Sequence, residues 1–184
     1  MRVISGNRKG MPLKAVSGMN TRPTSDKVKE SIFNMIGPYF DGGTVVDLFG
    51  GSGGLAIEAL SRGCELAIII EKDANAYSTI IQNLKKCRFE DSAEVFRTEA
   101  KRAVKALLKR DLKIDLLFLD PPYKKAEQYE LISDLVGGGL MNENGLIVCE
   151  HDPAVELPGT YGEFSRSRHE VYGSTAISIY SREK

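Results

Sequence analysis

Four short runs of this chain are apolar almost throughout, and each closes on a carboxylate: "VVD" (45–47), "LAIIIE" (66–71), "LLFLD" (116–120) and "LIVCE" (146–150). A fifth run, "AEVFR", occupies 93–97. Between them lie stretches whose apolar residues return every three or four positions. Leu55, Ala56, Ala59 and Leu60 share one helical face, and Ala100, Ala103, Val104, Leu107 and Leu108 share another. Residues 74–86, 99–110 and 126–136 are expected as helices too. A strand without a polar face has to be covered on both sides. Strands joined through helices run parallel. The expected class is therefore α/β, a mostly parallel sheet with helices on both faces.

The two ends depart from this pattern. Residues 163–171 and 174–181 are strand-like and joined by Tyr172-Gly173, which makes them antiparallel and brings the expected count to a seven-stranded sheet. Near the start, Thr24 or Ser25 can cap a helix whose apolar face is Val28, Ile32, Met35 and Ile36, and Gly37-Pro38 stops it. Residues 1–20 mix short β-type pieces with Gly6, Gly10 and Gly18 and read as a small hairpin-like extension outside the core. The chain divides accordingly into a basic N-terminal extension, 1–22, and one main domain, 23–184.

Composition narrows the function classes. A chain of 184 residues is about one domain. No apolar run approaches the roughly 20 residues needed to span a bilayer, and "MRVISGNRKG" lacks a signal-peptide core, so a cytoplasmic address is expected. Cys64, Cys87 and Cys149 are scattered and read as small buried hydrophobes, with neither a disulfide framework nor a metal site among them. His151 and His169 are isolated and receive no role. Net charge is zero, yet residues 1–29 hold seven basic residues against Asp26 alone, a segment suited to a polyanion.

In a parallel sheet ligands sit beyond the carboxyl ends of the strands. Asp47, Glu71, Asp120 and Glu150 all fall there. After Asp47 comes a glycine loop, "FGGSGG", whose Gly51 and Gly53 allow a sharp turn and close approach to the main chain. Gly51-Ser52-Gly53-Gly54-Leu55-Ala56 also satisfies the G-x-G-x-x-G/A dinucleotide spacing, with Glu71 placed to meet ribose hydroxyls, so a nicotinamide oxidoreductase is one reading. Asp47 favours another. A carboxylate beside the loop repels a pyrophosphate and attracts the ammonium and sulfonium of S-adenosylmethionine.

The fourth run ends "DPPY". An exocyclic amino group conjugated to a ring is a poor nucleophile. Two acceptors on its N–H bonds, the Asp120 carboxylate and the Pro121 carbonyl, can aim its lone pair at a methyl group, and Pro121 and Pro122 stiffen the ledge. Tyr123 offers a stacking face, worth roughly 1–3 kcal/mol per base.

With those residues in view, the chain resembles class I S-adenosylmethionine-dependent methyltransferases, and in particular the RsmD-like family of 16S rRNA guanine-N2 methyltransferases. The resemblance rests on "RPTSDKVKE" (22–30) followed by Phe33-Asn34, on "DLFGGSG" (47–53), on Glu71, on Asp120 to Tyr123 and on Tyr172-Gly173-Ser174-Thr175. Gly50 and Gly54 depart from the family's loop and suggest a looser turn here. The resemblance implies a Rossmann-like class I fold and methyl transfer from S-adenosylmethionine to the N2 of one guanine in 16S rRNA, without a metal. Asp47, Phe49, Gly51, Gly53, Glu71, Lys72, Glu99 and Ala100 would hold the donor, and Glu99 stands where the family usually has Asp or Asn. Asp120, Pro121, Pro122 and Tyr123 would be catalytic. Arg2, Arg8, Lys9, Lys14, Arg22, Thr24, Lys124 and Lys125 would meet RNA, in a monomeric enzyme acting on an assembled or assembling small ribosomal subunit. An N6-adenine or N4-cytosine DNA methyltransferase, and an inactive RNA-binding module, are the readings that compete with it.

Overall fold

The computed structural model describes residues 1–18, 24–122 and 126–183. Helix α1 (Asp26–Ile36) precedes strand β1 (Thr44–Asp47) and helix α2 (Gly54–Ser61). Then come β2 (Leu66–Ile70), α3 (Ala74–Lys86), β3 (Ala93–Phe96), α4 (Ala100–Leu107) and β4 (Ile114–Leu119). A 3-10 turn at Ala126–Glu130 leads into α5 (Leu131–Gly137), and β5 (Met141–His151), β6 (Thr160–Tyr161), β7 (Phe164–Tyr172) and β8 (Thr175–Arg182) finish the chain. These strands form one sheet in the order β3-β2-β1-β4-β5-β8-β7-β6. Pairing is parallel from β3 to β5 and antiparallel beyond. The expected seven strands become eight because two residues, Thr160 and Tyr161, pair with β7; so short a strand leaves no apolar pattern to read.

The apolar runs are buried because alternate residues feed two separate cores. Val45, Ala67, Ile69, Leu116 and Phe118 point into one with α1, α2 and α3, whereas Val46, Ile68, Ile70, Leu117 and Leu119 point into the other with α4 and α5. Helix α2 is buried along its whole length, which suits its short, nearly all-apolar sequence. Ser25, not Thr24, caps α1 by accepting from the Val28 amide at 3.2 Å, and this frees Thr24 for another partner.

The N-terminal residues correct one expectation. They form a hairpin bridged at Arg2 and Pro12, but Val3 and Leu13 are buried in the first core. A second departure is Lys29, counted above among the basic residues of the arm. It is buried, and its Nζ lies 3.3 Å from Glu58 Oε1 and donates to the Arg2 carbonyl at 2.6 Å. Burial lowers the Lys29 pKa, and the Glu58 charge beside it opposes that. Glu58, 0% exposed, also accepts from Arg62 Nε at 2.8 Å and from the amides of Ile4 and Ser5 at 2.9 and 3.1 Å. The Arg62 guanidinium lies 4.9 Å above the Phe33 ring. One buried carboxylate thus ties the N-terminal hairpin to α1 and α2.

Removing it leaves two cations without a counter-charge. Glu58→Ala is expected to cost about 3–5 kcal/mol, measured by denaturant unfolding, and to speed amide exchange at Ile4 and Ser5. Unchanged stability would mean the network contributes nothing net.

Candidate active site at the carboxyl edge of the sheet

The strand order reverses direction between β1 and β4, where the chain leads to α2 on one face and toward α5 on the other. A crevice opens at such a point. Asp47 ends β1, and Asp120 directly follows β4, its neighbour in register. Glu71 follows β2 and Glu150 lies one residue before the end of β5. All four acids read from the strand tips are therefore at one edge of the sheet.

Asp47 is 2% exposed and, among the described residues, accepts one hydrogen bond, from the Phe49 amide at 3.1 Å. Burial raises its pKa to about 7, helped by the charges of Glu71 and Glu150 and opposed by the Phe49 amide. Glu71 is oriented from both sides. The Gly51 amide donates to its Oε1 at 3.0 Å and the Asp73 amide to its Oε2 at 2.8 Å, leaving its outer lone pairs for a pair of hydroxyls.

The glycine loop is tighter than its sequence suggests. Gly51 and Gly53 have φ of +59° and +84°, as a sharp turn requires, and a side chain at Gly51 would meet open space. Gly50 corrects the expectation of a looser turn. A Cβ there would stand 2.5 Å from Ile69 Cγ2, and its amide donates to the Ile70 carbonyl at 2.8 Å. The glycine lets the loop press against β2. Phe49 is half-buried against the second core, Lys72 is exposed, and Glu99 is an exposed residue preceding α4, whose first residue, Ala100, is buried. The structure thus brings Asp47, Gly51, Gly53 and Glu71 together.

On the other side of the crevice, Pro121 is buried and Pro122 half-buried, so the ledge after Asp120 is anchored. Tyr123, Lys124, Lys125 and Arg22 lie outside the described residues. The Asp120 carboxyl neighbours that of Glu150 closely enough for the two to act on each other. Burial, then Glu150, then Asp47 hold Asp120 well above the usual carboxylate range. Two hydroxyls reach Glu150: Thr24 Oγ1 donates to Oε2 at 2.6 Å and Thr175 Oγ1 to Oε1 at 3.3 Å. The Tyr129 hydroxyl donates to the Glu150 carbonyl at 2.6 Å. Sequence reasoning placed Glu150 at a strand end but gave it no role, and it put Thr24 among the RNA contacts rather than against an acid. The signal available was that "RPT" and "YGST" each offer a threonine.

The basic residues divide. Lys14 stands near the crevice, since Asn83 Nδ2 donates to both the Lys14 and Ser52 carbonyls at 2.9 Å. Arg2 is exposed and 3.9 Å from Asp26, at the start of α1. Arg8 and Lys9 sit instead at the hairpin turn, against the far ends of α2 and α3, where the Arg8 amide bonds the Ser61 hydroxyl. Arg8 is already engaged: its Nε donates to the Cys87 carbonyl at 2.6 Å and its guanidinium lies 4.7 Å over Phe89. The three cysteines are free and buried. Among the described residues no helix is long and apolar enough to cross a membrane.

Comparison with known proteins places these features. Residues 1–181 match the family model described as conserved hypothetical protein 95. A Bacillus subtilis protein named as a candidate rRNA methyltransferase, YlbH, is 52% identical over 182 residues, covering 99% of both chains. Ribosomal RNA small subunit methyltransferase D of Escherichia coli is 31% identical over 183 residues, covering 100% of this chain and 90% of its own. Among solved structures, an Escherichia coli chain described as a candidate methyltransferase, yhhF, superposes with a TM-score of 0.81 at 32% identity, covering 100% of this chain and 98% of that one.

The buried Asp47 carboxylate carries a pH signature. Its folded pKa, about 7, lies above the ordinary 3.8, so folding favours the protonated form. Its charge costs nothing below about pH 4. From there the cost grows by about 1.4 kcal/mol for each step of one in pH until the folded value is reached, and it is constant above. Asp47→Asn is therefore expected to stabilise the protein by a few kcal/mol at about pH 8 and to lose that advantage toward about pH 4. Denaturant unfolding at both pH values checks it, and an equal effect at both would refute the burial account.

Proposed function

The chain belongs to the family described as conserved hypothetical protein 95, the RsmD-like family of rRNA methyltransferases, and from that membership we propose that it moves a methyl group from S-adenosylmethionine to the exocyclic N2 of one guanine in 16S rRNA. The nicotinamide reading of the glycine loop loses its support. The observation that carries the proposal is the pairing, across the strand-order reversal, of a buried acid beside a glycine loop (Asp47) with a half-buried acid on a proline ledge (Asp120).

The donor-side residues fit an S-adenosylmethionine molecule. Asp47, desolvated and neighboured by negative charge, is a site for a cation, and Glu71, fixed by two backbone amides, is a site for two ribose hydroxyls. Gly51 leaves room for main-chain approach. Lys72, after β2, and Glu99 and Ala100, at the start of α4, would meet the adenine. Bound there, the donor supplies an electrophilic methyl group on sulfur.

The protein's own part is positioning. Asp120 and the Pro121 carbonyl take the two N–H bonds of the amino group and direct its lone pair across the crevice. Asp120 also meets the positive charge that develops on nitrogen, and loss of one such preorganised group typically costs roughly 2.7–4 kcal/mol of barrier. The base has to leave its stack to reach the ledge, where Tyr123 would stack on it. Lys14 and Arg2, at the crevice end of the molecule, and Lys124 and Lys125, which follow the ledge in sequence, would hold phosphates, so affinity should fall with salt. The substrate is proposed to be RNA organised in a small ribosomal subunit, which lessens the need for a strongly basic surface.

Labelled methyl transfer is the direct test. Small subunits lacking the modification should accept methyl at guanine N2 better than naked RNA or DNA. Asp120→Ala should abolish turnover and leave S-adenosylhomocysteine affinity, read by calorimetry, near that of the wild type. Methylation of DNA in place of ribosomal particles would overturn the substrate assignment.

A further inference from the structure

Glu150 is the one acid of the four that the reaction above leaves without work, yet it is the most heavily engaged. Thr24, 126 residues before it in sequence, and Thr175, 25 residues after it, donate to its two oxygens. Tyr129 fixes its backbone. Its carboxyl also neighbours that of Asp120. Two carboxyls sharing one site do not both carry charge at neutral pH, so the pair holds a proton. The two threonines hold the Glu150 carboxyl in place beside Asp120. Burial and the Glu150 charge keep Asp120 well above the usual carboxylate range, which assigns the proton to Asp120.

Resting on the methyl-transfer reading, we propose that Glu150 is a positioning residue for that reaction: held by Thr24 and Thr175, it shares one proton with Asp120 and receives, through Asp120, the proton that the methylated nitrogen sheds. The nitrogen lone pair forms the N–C bond as the C–S bond breaks, and sulfur keeps that electron pair as a thioether. The nitrogen is left cationic. Its N–H bond then breaks, the electrons return to nitrogen, and the proton goes to the free oxygen of Asp120 while the proton already on Asp120 crosses to Glu150. The positive charge brought in on sulfur and the negative charge of the pair disappear together, so no net charge remains in a desolvated site. One proton leaves for solvent when product departs. The arrangement gives Thr24 and Thr175, from two segments outside the donor loop, one shared purpose.

Glu150→Gln tests this. The amide keeps the shape, accepts from one threonine and gives an N–H to Asp120, but cannot take the proton. Wild type and variant are compared on small subunits from about pH 5 to about pH 9, with S-adenosylhomocysteine affinity and thermal unfolding measured on both. Among the described residues the other titratable groups around the pair are Asp47, Glu71, Tyr129 and Cys149. They are common to both proteins, and burial holds Tyr129 and Cys149 protonated across that range. The expected result is unchanged affinity and unfolding, an unchanged KM for RNA, and kcat lower by about a hundredfold. The acid limb of the profile should move toward neutral pH, because a pair sharing a proton takes its second one only at low pH. Thr24→Val should show a smaller loss that Thr24→Ser restores. Full activity with a superimposable pH profile would overturn the proposal. So would losses of affinity and stability that match the loss of activity, since Glu150 would then be a structural brace. A wild type inactive on small subunits would instead refute the methyl-transfer reading itself.

Discussion

The parallel pairing of β1 with β4 is the constraint on which the site depends. It places the ends of two strands side by side while the segments that follow them go to opposite faces of the sheet. Main-chain hydrogen bonding ends there and a crevice begins. Asp47 and Asp120 are the residues at that limit, and neither can retreat into solvent because the strands beneath them are covered on both faces. Like charges so placed destabilise the folded state. The fold tolerates them because the hydrophobic layers below are continuous and because the neighbouring acids Glu71 and Glu150 are each met by two hydrogen-bond donors. Asp47, with one amide bond among the described residues, has the least compensation for its charge, which suits the cation proposed for it.

The buried network at Glu58 plays the opposite part at the other side of α2. There two cations and two amides converge on one carboxylate, so the charges neutralise each other and hold the hairpin in place. The hairpin in turn carries Met1 to the glycine loop, where its Sδ is 3.6 Å from the Ser52 hydroxyl, and Lys14 to Asn83. A segment that looks like a polyanion-binding arm is therefore also part of the support for the glycine loop. Of its basic residues, Lys29 serves the fold, Arg8 is tied to Cys87 and Phe89, and Arg2, Lys9 and Lys14 are exposed.

How much of this was legible follows from which interactions are local. The apolar runs revealed the parallel sheet, because a strand buried on both faces has no choice of composition. Asp47, Glu71 and Asp120 were legible because each stops such a run. The fit of Gly50 was not, since the clash that excludes a side chain comes from Ile69, on a different strand. Val3 and Leu13 were hidden among glycines and charges, and only the tertiary fold shows that they face a core. Lys29 read as a surface charge because its partner, Glu58, sits 29 positions away in a helix that otherwise looks apolar.

Glu150 shows why the antiparallel tail belongs to the site. Its register partner on β8 is Ile177, and His151 pairs with Ala176, so the chain reversal between β7 and β8 must come to rest beside the end of β5. Thr175 is the first residue after that reversal to reach the crevice. Thr24 arrives from the opposite direction, at the start of α1, just ahead of the residue that caps the helix. An acid at the tip of a parallel strand is thus closed in by the two extremes of the chain. In the proposed reaction a glycine loop and its acids would hold the donor, whereas orienting the acceptor needs groups that converge from several directions; the helix before the parallel sheet and the hairpin after it supply such groups around Glu150.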